Sequence, residues 1–82
     1  MSGELVMYTT DWCGYCIRLK RFFEREGIAF REVNIEHDAE SARFVEGVNG
    51  GNQTVPTVRF PGGEVVTNPT PAQITALVRA SA

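Results

Sequence analysis

The two cysteines of this chain stand three positions apart in Tyr8-Thr9-Thr10-Asp11-Trp12-Cys13-Gly14-Tyr15-Cys16, where one hydrophobic period gives way to another. Ahead of them, Leu5-Val6-Met7-Tyr8-Thr9 is short, apolar and β-prone, the pattern of a buried strand. After them, Ile17 to Glu26 is rich in long straight side chains. Ile17, Leu19, Phe22 and Phe23 give it an apolar stripe, and Gly27 stops it. A cysteine pair fixed at a strand-to-helix junction constrains both the fold and the chemistry.

The rest of the chain extends that start. Ile28 to Ile35 reads as a second strand. Asp38 suits the cap of a second helix running through Val48, with Phe44, Val45 and Val48 inward, and Asn49-Gly50-Gly51-Asn52 ends it. Thr57-Val58-Arg59-Phe60, Pro61-Gly62-Gly63 and Glu64-Val65-Val66-Thr67 form a strand, a turn and a strand, hence a hairpin. Thr70 then suits an N-cap, Pro71 the first helical position and Gln73 the return bond of a capping box. The order β-α-β-α-β-β-α predicts an α/β fold. A right-handed β-α-β start followed by a hairpin gives a four-stranded mixed sheet flanked by three helices. No internal repeat or linker interrupts the chain. Its 82 residues are expected to form one domain, 1–82, burying roughly 60% or more of its unfolded surface without staples.

Several function classes find no support. The net charge of -2 does not suggest a nucleic-acid groove. No apolar run approaches the roughly 20 residues of a membrane span. Met1-Ser2-Gly3-Glu4 lacks the basic start and apolar stretch of a signal peptide, so the expected location is cytoplasmic. In that reducing compartment a close cysteine pair points to catalysis or metal binding before structure. With no obvious extra apolar face, a monomer is expected.

Three readings of Cys13 and Cys16 compete. As a staple, the bridge closes so small a loop that chain entropy assigns it only about 2 kcal/mol. As a structural zinc site, the pair needs two more ligands. The chain offers one histidine, His37, between Glu36 and Asp38, and it reads as a solvated loop residue; a site shared across a dimer stays open. As a reaction centre, the pair fits its setting. Cys13 lies at or just before the first helical turn, facing unpaired N–H groups and the positive end of the helix dipole. Such settings bring cysteine pKa values to roughly 3.5–7.5. Arg18, Lys20, Arg21 and Arg25 follow, half of the eight lysines and arginines. Arg25 reads as part of the solvated helix face, whereas Lys20 and Arg21 read equally as solvated or as adding positive potential at the sulfur. Cys16, one turn on, is expected to be more shielded. An exposed Cys13 would then attack a substrate disulfide, and Cys16 would resolve the mixed disulfide from behind.

Cys13-Gly14-Tyr15-Cys16 after a short strand, Thr54-Val55-Pro56 before the hairpin, and this element order resemble glutaredoxins of the thioredoxin fold. The closer resemblance is to mycoredoxins, the actinobacterial glutaredoxin-like proteins. It is carried by Tyr8 to Cys16, by Val48-Asn49-Gly50-Gly51-Asn52, by Thr54-Val55-Pro56-Thr57-Val58 and by Thr67-Asn68-Pro69, and it runs from about Leu5 to Val78. The resemblance implies a cis Val55–Pro56 bond opposite the nucleophile. The Val55 N–H and C=O would then face outward as a free strand edge, on which the backbone of a cysteinyl thiol can pair.

The resemblance also bears on which thiol the chain uses. Glutathione-using relatives usually carry a Lys two residues after the first-strand tyrosine and a Gly-Gly-x-Asp-Asp type sequence before the last helix. Here those regions read Thr10 and Thr67-Asn68-Pro69-Thr70, with neutral hydrogen-bonding groups in place of charges. Mycothiol, neutral and rich in hydroxyls, suits them better than glutathione does. The expected thiol-binding residues are therefore Trp12 and Tyr15 as flanking walls, with Thr54, Val55, Pro56, Thr67 and Asn68. No tightly bound cofactor or metal is expected.

The leading expectation is a thiol-disulfide oxidoreductase that reduces mycothiol–protein mixed disulfides. Its partners are a low-molecular-weight thiol and mixed-disulfide protein substrates. A second possibility is a thioredoxin-like electron donor recharged by thioredoxin reductase, since Trp12-Cys13-Gly14 echoes the thioredoxin active site. A third is an iron–sulfur carrier, in which two subunits each give one Cys to a cluster; Gly14 in place of the commoner Pro leaves it open.

Overall fold

The computed structural model describes residues 4–81, and the N-terminal Met1-Ser2-Gly3 lies outside them. Strand β1 (Val6–Thr9) leads to helix α1 (Gly14–Arg25), strand β2 (Arg31–Asn34), helix α2 (Ala39–Val48), strands β3 (Thr57–Arg59) and β4 (Val65–Thr67), and helix α3 (Pro71–Ser81). A single 3-10 turn, Ile35–His37, stands between β2 and α2. The sheet order is β2-β1-β3-β4. β1 pairs with β2 in parallel and with β3 antiparallel, and β3 pairs antiparallel with β4.

All four residues of β1 are buried, because the strand is central and covered on both faces. Leu5 and Met7 join Leu19 and Phe23 of α1, Val58 and Phe60, and Ile74 of α3 in one apolar cluster. Val6 and Tyr8 point the other way, to Ile35 and to Val45 of α2. The period-2 alternation of a strand thus divides one sequence run between two cores.

The second strand is shorter than expected at both ends. Gly27, at φ 69°, closes α1 as a Schellman cap: Ile28 N–H bonds to Phe23 O at 2.9 Å and Gly27 N–H to Glu24 O at 3.3 Å. The Ile28 N–H is spent on the helix end, so pairing with the sheet begins only near Arg31, whose N–H bonds to Leu5 O at 2.8 Å. Ile28 and Phe30 still pack on the core. At the far end the Asn34 side chain accepts Glu36 N–H at 2.9 Å, which turns Ile35 out of the ladder.

Two apolar positions also depart from expectation. Ile17 is 50% exposed; it lies two residues from Leu19, about 200° round the helix, on another face. Val48, the last residue of α2, is 44% exposed and belongs to neither cluster. The caps form as read. Asp38 accepts Ser41 N–H at 3.1 Å, and Thr70 and Gln73 exchange bonds of 3.1 and 2.8 Å.

Candidate active site

Register brings three segments to one end of the sheet. Tyr8, near the end of β1, faces Thr57 at the start of β3, and Thr57 faces Thr67 at the end of β4. The turn Thr10 to Cys13, the loop Thr54 to Pro56 and the corner Thr67-Asn68 therefore leave the sheet on the same side. Two bonds tie them further. Asn68 N–H donates to Pro56 O at 2.8 Å, and the Tyr15 hydroxyl donates to Pro69 O at 2.7 Å.

Cys13 and Cys16 are disulfide-bonded, with Cα atoms 5.3 Å apart. Cys13 is the N-cap of α1, and its sulfur accepts the Cys16 N–H at 3.1 Å. The first turn of α1 contains no acidic residue, so no carboxylate there offsets the positive helix end. Of the nearby cations, Lys20 pairs with Glu32 at 3.1 Å. Arg25 lies 3.8 Å from Glu26 and over the Phe22 ring. Cys16 is 1% exposed, the shielded partner that its position predicts. Cys13 is also buried, at 6%, which corrects the expectation of an exposed sulfur. In the disulfide its side chain is held in by the bridge and by its capping bond.

The other expected residues divide by what their polar atoms already do. Trp12 is 71% exposed, and its Nε1–H bonds to Glu36 Oε2 at 3.2 Å. Tyr15 is half-buried against the α1–α3 core; its hydroxyl is committed to Pro69. Val55–Pro56 is cis, and neither Val55 N–H nor C=O takes part in a hydrogen bond among the described residues. The Thr54 carbonyl accepts the Thr57 hydroxyl at 2.8 Å. Thr67 donates its only hydroxyl hydrogen to Asn49 Oδ1 at 2.6 Å, so it cannot donate to a ligand. Asn68 is exposed, at φ 52°, and its amide side chain has no hydrogen bond among the described residues. The Thr10 hydroxyl oxygen is sealed from solvent and has no hydrogen-bond partner among the described residues.

His37 is exposed, with Nε2 3.8 Å from Asp11 Oδ2. Among the described residues no group of three or more His, Cys, Asp and Glu converges as a metal site requires, and no helix is long and apolar enough to cross a membrane. Sequence reading missed two residues that organise the site. In the sequence Glu36 shows only as a neighbour of His37, and Asn49 only as part of a helix stop and of one stretch that carries the family resemblance. No spacing signal joins either to its partners, because those bonds close through the tertiary fold.

The comparisons with known proteins agree with this geometry. The glutaredoxin family model matches residues 5–66. A protein of Mycobacterium tuberculosis described as a glutaredoxin is 50% identical over 76 residues, 93% of this chain and 90% of that one. Mycoredoxin 1 of Corynebacterium glutamicum is 37% identical over 80 residues, 98% of this chain and 99% of that protein. The crystal structure of a glutaredoxin from Archaeoglobus fulgidus superposes with a TM-score of 0.77 at 27% identity, over 96% of this chain and 88% of that one. With its cysteine pair on the first turn of α1 and its sequence matched along most of its length, the chain belongs to the glutaredoxin family.

Proposed function

We propose that this chain is a cytoplasmic thiol-disulfide oxidoreductase that reduces mixed disulfides between proteins and mycothiol. The observation that carries the reading is the Cys13–Cys16 bridge at the α1 N-terminus, with an N–H group already directed at the Cys13 sulfur. On reduction, the same N–H and the helix end favour the Cys13 thiolate.

The thiolate attacks the mycothiol sulfur of the mixed disulfide. A Cys13–mycothiol disulfide bond forms, the S–S bond between the mycothiol and protein sulfurs breaks, and the protein thiolate leaves and takes a proton. A second mycothiol thiolate then attacks the mycothiol sulfur held on Cys13. Mycothiol disulfide leaves, and the Cys13 thiolate returns. Attack by Cys16 on Cys13 instead releases mycothiol and closes the bridge. Val55 N–H and C=O offer the incoming cysteinyl backbone a strand edge. The Asn68 amide, with both donors and its acceptor unspent, supplies neutral contacts. These suit mycothiol better than the two carboxylates and the ammonium of glutathione.

A turnover assay on one mycothiolated protein, recharged in turn by mycothiol, glutathione or thioredoxin reductase with NADPH, tests the reading. Turnover with mycothiol, abolished in Cys13→Ser and largely kept in Cys16→Ser, is expected. Equal turnover with glutathione removes the thiol assignment. A Cys16→Ser variant as inactive as Cys13→Ser removes the monothiol route.

A further inference from the structure

Three segments meet at the side-chain amide of Asn49, the residue that caps the C-terminus of α2. Its Nδ2 donates to Val45 O at 2.9 Å and to Thr57 Oγ1 at 3.1 Å. Its Oδ1 accepts from Thr67 Oγ1 at 2.6 Å. Thr57 passes its own hydrogen to Thr54 O at 2.8 Å. A hydroxyl has one hydrogen to give, so the bonds run in one direction: Thr67 to Asn49, Asn49 to Thr57, Thr57 to Thr54. The reverse orientation of the amide would set Oδ1 against the Val45 carbonyl, acceptor against acceptor.

The bonded groups lie in or beside the segments 54–56 and 67–68. The Thr54 carbonyl immediately precedes Val55–Pro56. Thr67 immediately precedes Asn68, whose N–H reaches Pro56 O at 2.8 Å. One amide thus fixes the loop 54–56 against the corner 67–68. These are the two segments read above as the thiol's contacts, and the inference rests on that reading.

We infer that Asn49 is a positioning residue for the thiol substrate, holding its two contact segments in one preformed surface. A ligand that had to order both segments as it bound would bind more weakly. The nucleophile is independent of this device, because no bond of the network reaches α1 among the described residues. Asn49 therefore controls how well the thiol is held and leaves the reactivity of Cys13 alone.

The test compares Asn49→Ala, Thr67→Val and the two combined, each in the full chain. Removal of the amide is expected to raise the KM for mycothiol about tenfold, while the rate of Cys13 alkylation by iodoacetamide in the reduced protein stays within about twofold. The combined variant should be no worse than Asn49→Ala alone, since both changes break one unit. Amide hydrogen exchange at Asn68 should quicken in each variant, a readout that needs no thiol. Unchanged Asn68 exchange overturns the inference whatever the thiol proves to be. A KM equal to that of the wild type, or alkylation slowed in parallel with the KM change, also overturns it. If Asn49→Ala does not fold, Thr67→Val alone carries the same outcomes. Wild-type protein that turns over without any small thiol removes the functional reading instead, and the Asn68 exchange still reports on the clamp.

Discussion

Glu36 holds Trp12 by its indole: Oε2 accepts Trp12 Nε1–H at 3.2 Å, while Oε1 accepts the Asp11 N–H at 3.2 Å. The carboxylate belongs to the 3-10 turn after β2, and the indole belongs to the residue before the candidate nucleophile. Asn34 completes the link. Its amide donates to Asp11 Oδ1 at 2.6 Å, and its oxygen caps the Glu36 N–H at 2.9 Å. A 71% exposed tryptophan is thereby kept at a fixed orientation beside the disulfide.

Trp12 is the chain's one tryptophan, so its fluorescence reads this bond directly. Glu36→Gln keeps one acceptor oxygen and loses the second, and Glu36→Ala loses both. Local depolarisation of the indole should quicken from the wild type to Glu36→Gln to Glu36→Ala. The bonds are solvent-facing, so the stability change stays below about 1 kcal/mol. Identical anisotropy decays in all three proteins would show that the carboxylate does not restrain the ring.

The Tyr15 hydroxyl, bonded to Pro69 O at 2.7 Å, fastens α1 to the connection between β4 and α3. Its ring adds apolar contact to the α1–α3 core. Tyr15→Phe keeps the ring and removes one neutral hydrogen bond, which should cost about 1 kcal/mol. Urea unfolding should show a lower midpoint with an unchanged slope. An unmoved midpoint would mean that water serves the Pro69 carbonyl equally well once the phenol is gone.

What the sequence makes legible is what local patterning encodes. Asp38, Thr70 and Gln73 act as caps within one turn of where they stand, so their roles show in a short window. The place of the cysteine pair at a strand-to-helix junction is legible in the same way. The errors arise where an apolar residue is recruited by something non-periodic. Ile28 packs on the core, yet its N–H serves a helix cap, and Ile35 is buried from a 3-10 turn. Glu36 and Asn49 lie deeper still out of reach. Their partners stand 24 residues away at Trp12 and 18 away at Thr67, and only folding joins them.

Thr10 carries a buried hydroxyl with no partner among the described residues. Desolvating such a group without a bond costs about 1–3 kcal/mol. Thr10→Val removes the hydroxyl and nearly keeps the shape, so the oxidised protein should become more stable, by about 1 kcal/mol. Thermal unfolding of the oxidised form measures it. A loss of stability would instead reveal a bonding partner for this oxygen.

Asp38 is the N-cap of α2, the helix whose C-cap is Asn49. The Ser41 N–H on its carboxylate holds the pKa below the ordinary aspartate value, with a smaller opposing effect of burial. A carboxylate with a lowered pKa in the folded state contributes stability that is whole above the unfolded value, about 3.9. That contribution is lost as the pH falls through the lower folded value. Asp38→Asn keeps an N-cap acceptor and does not titrate. The stability difference between wild type and Asp38→Asn should therefore be flat from about pH 7 to pH 5 and move in favour of the variant below about pH 4. Carboxylates common to both proteins cancel in that difference. Urea midpoints at four or more pH values measure it. A difference that stayed flat to pH 3 would show that the Ser41 bond does not distinguish the ionised from the protonated carboxyl, and that acid unfolding of α2 begins elsewhere.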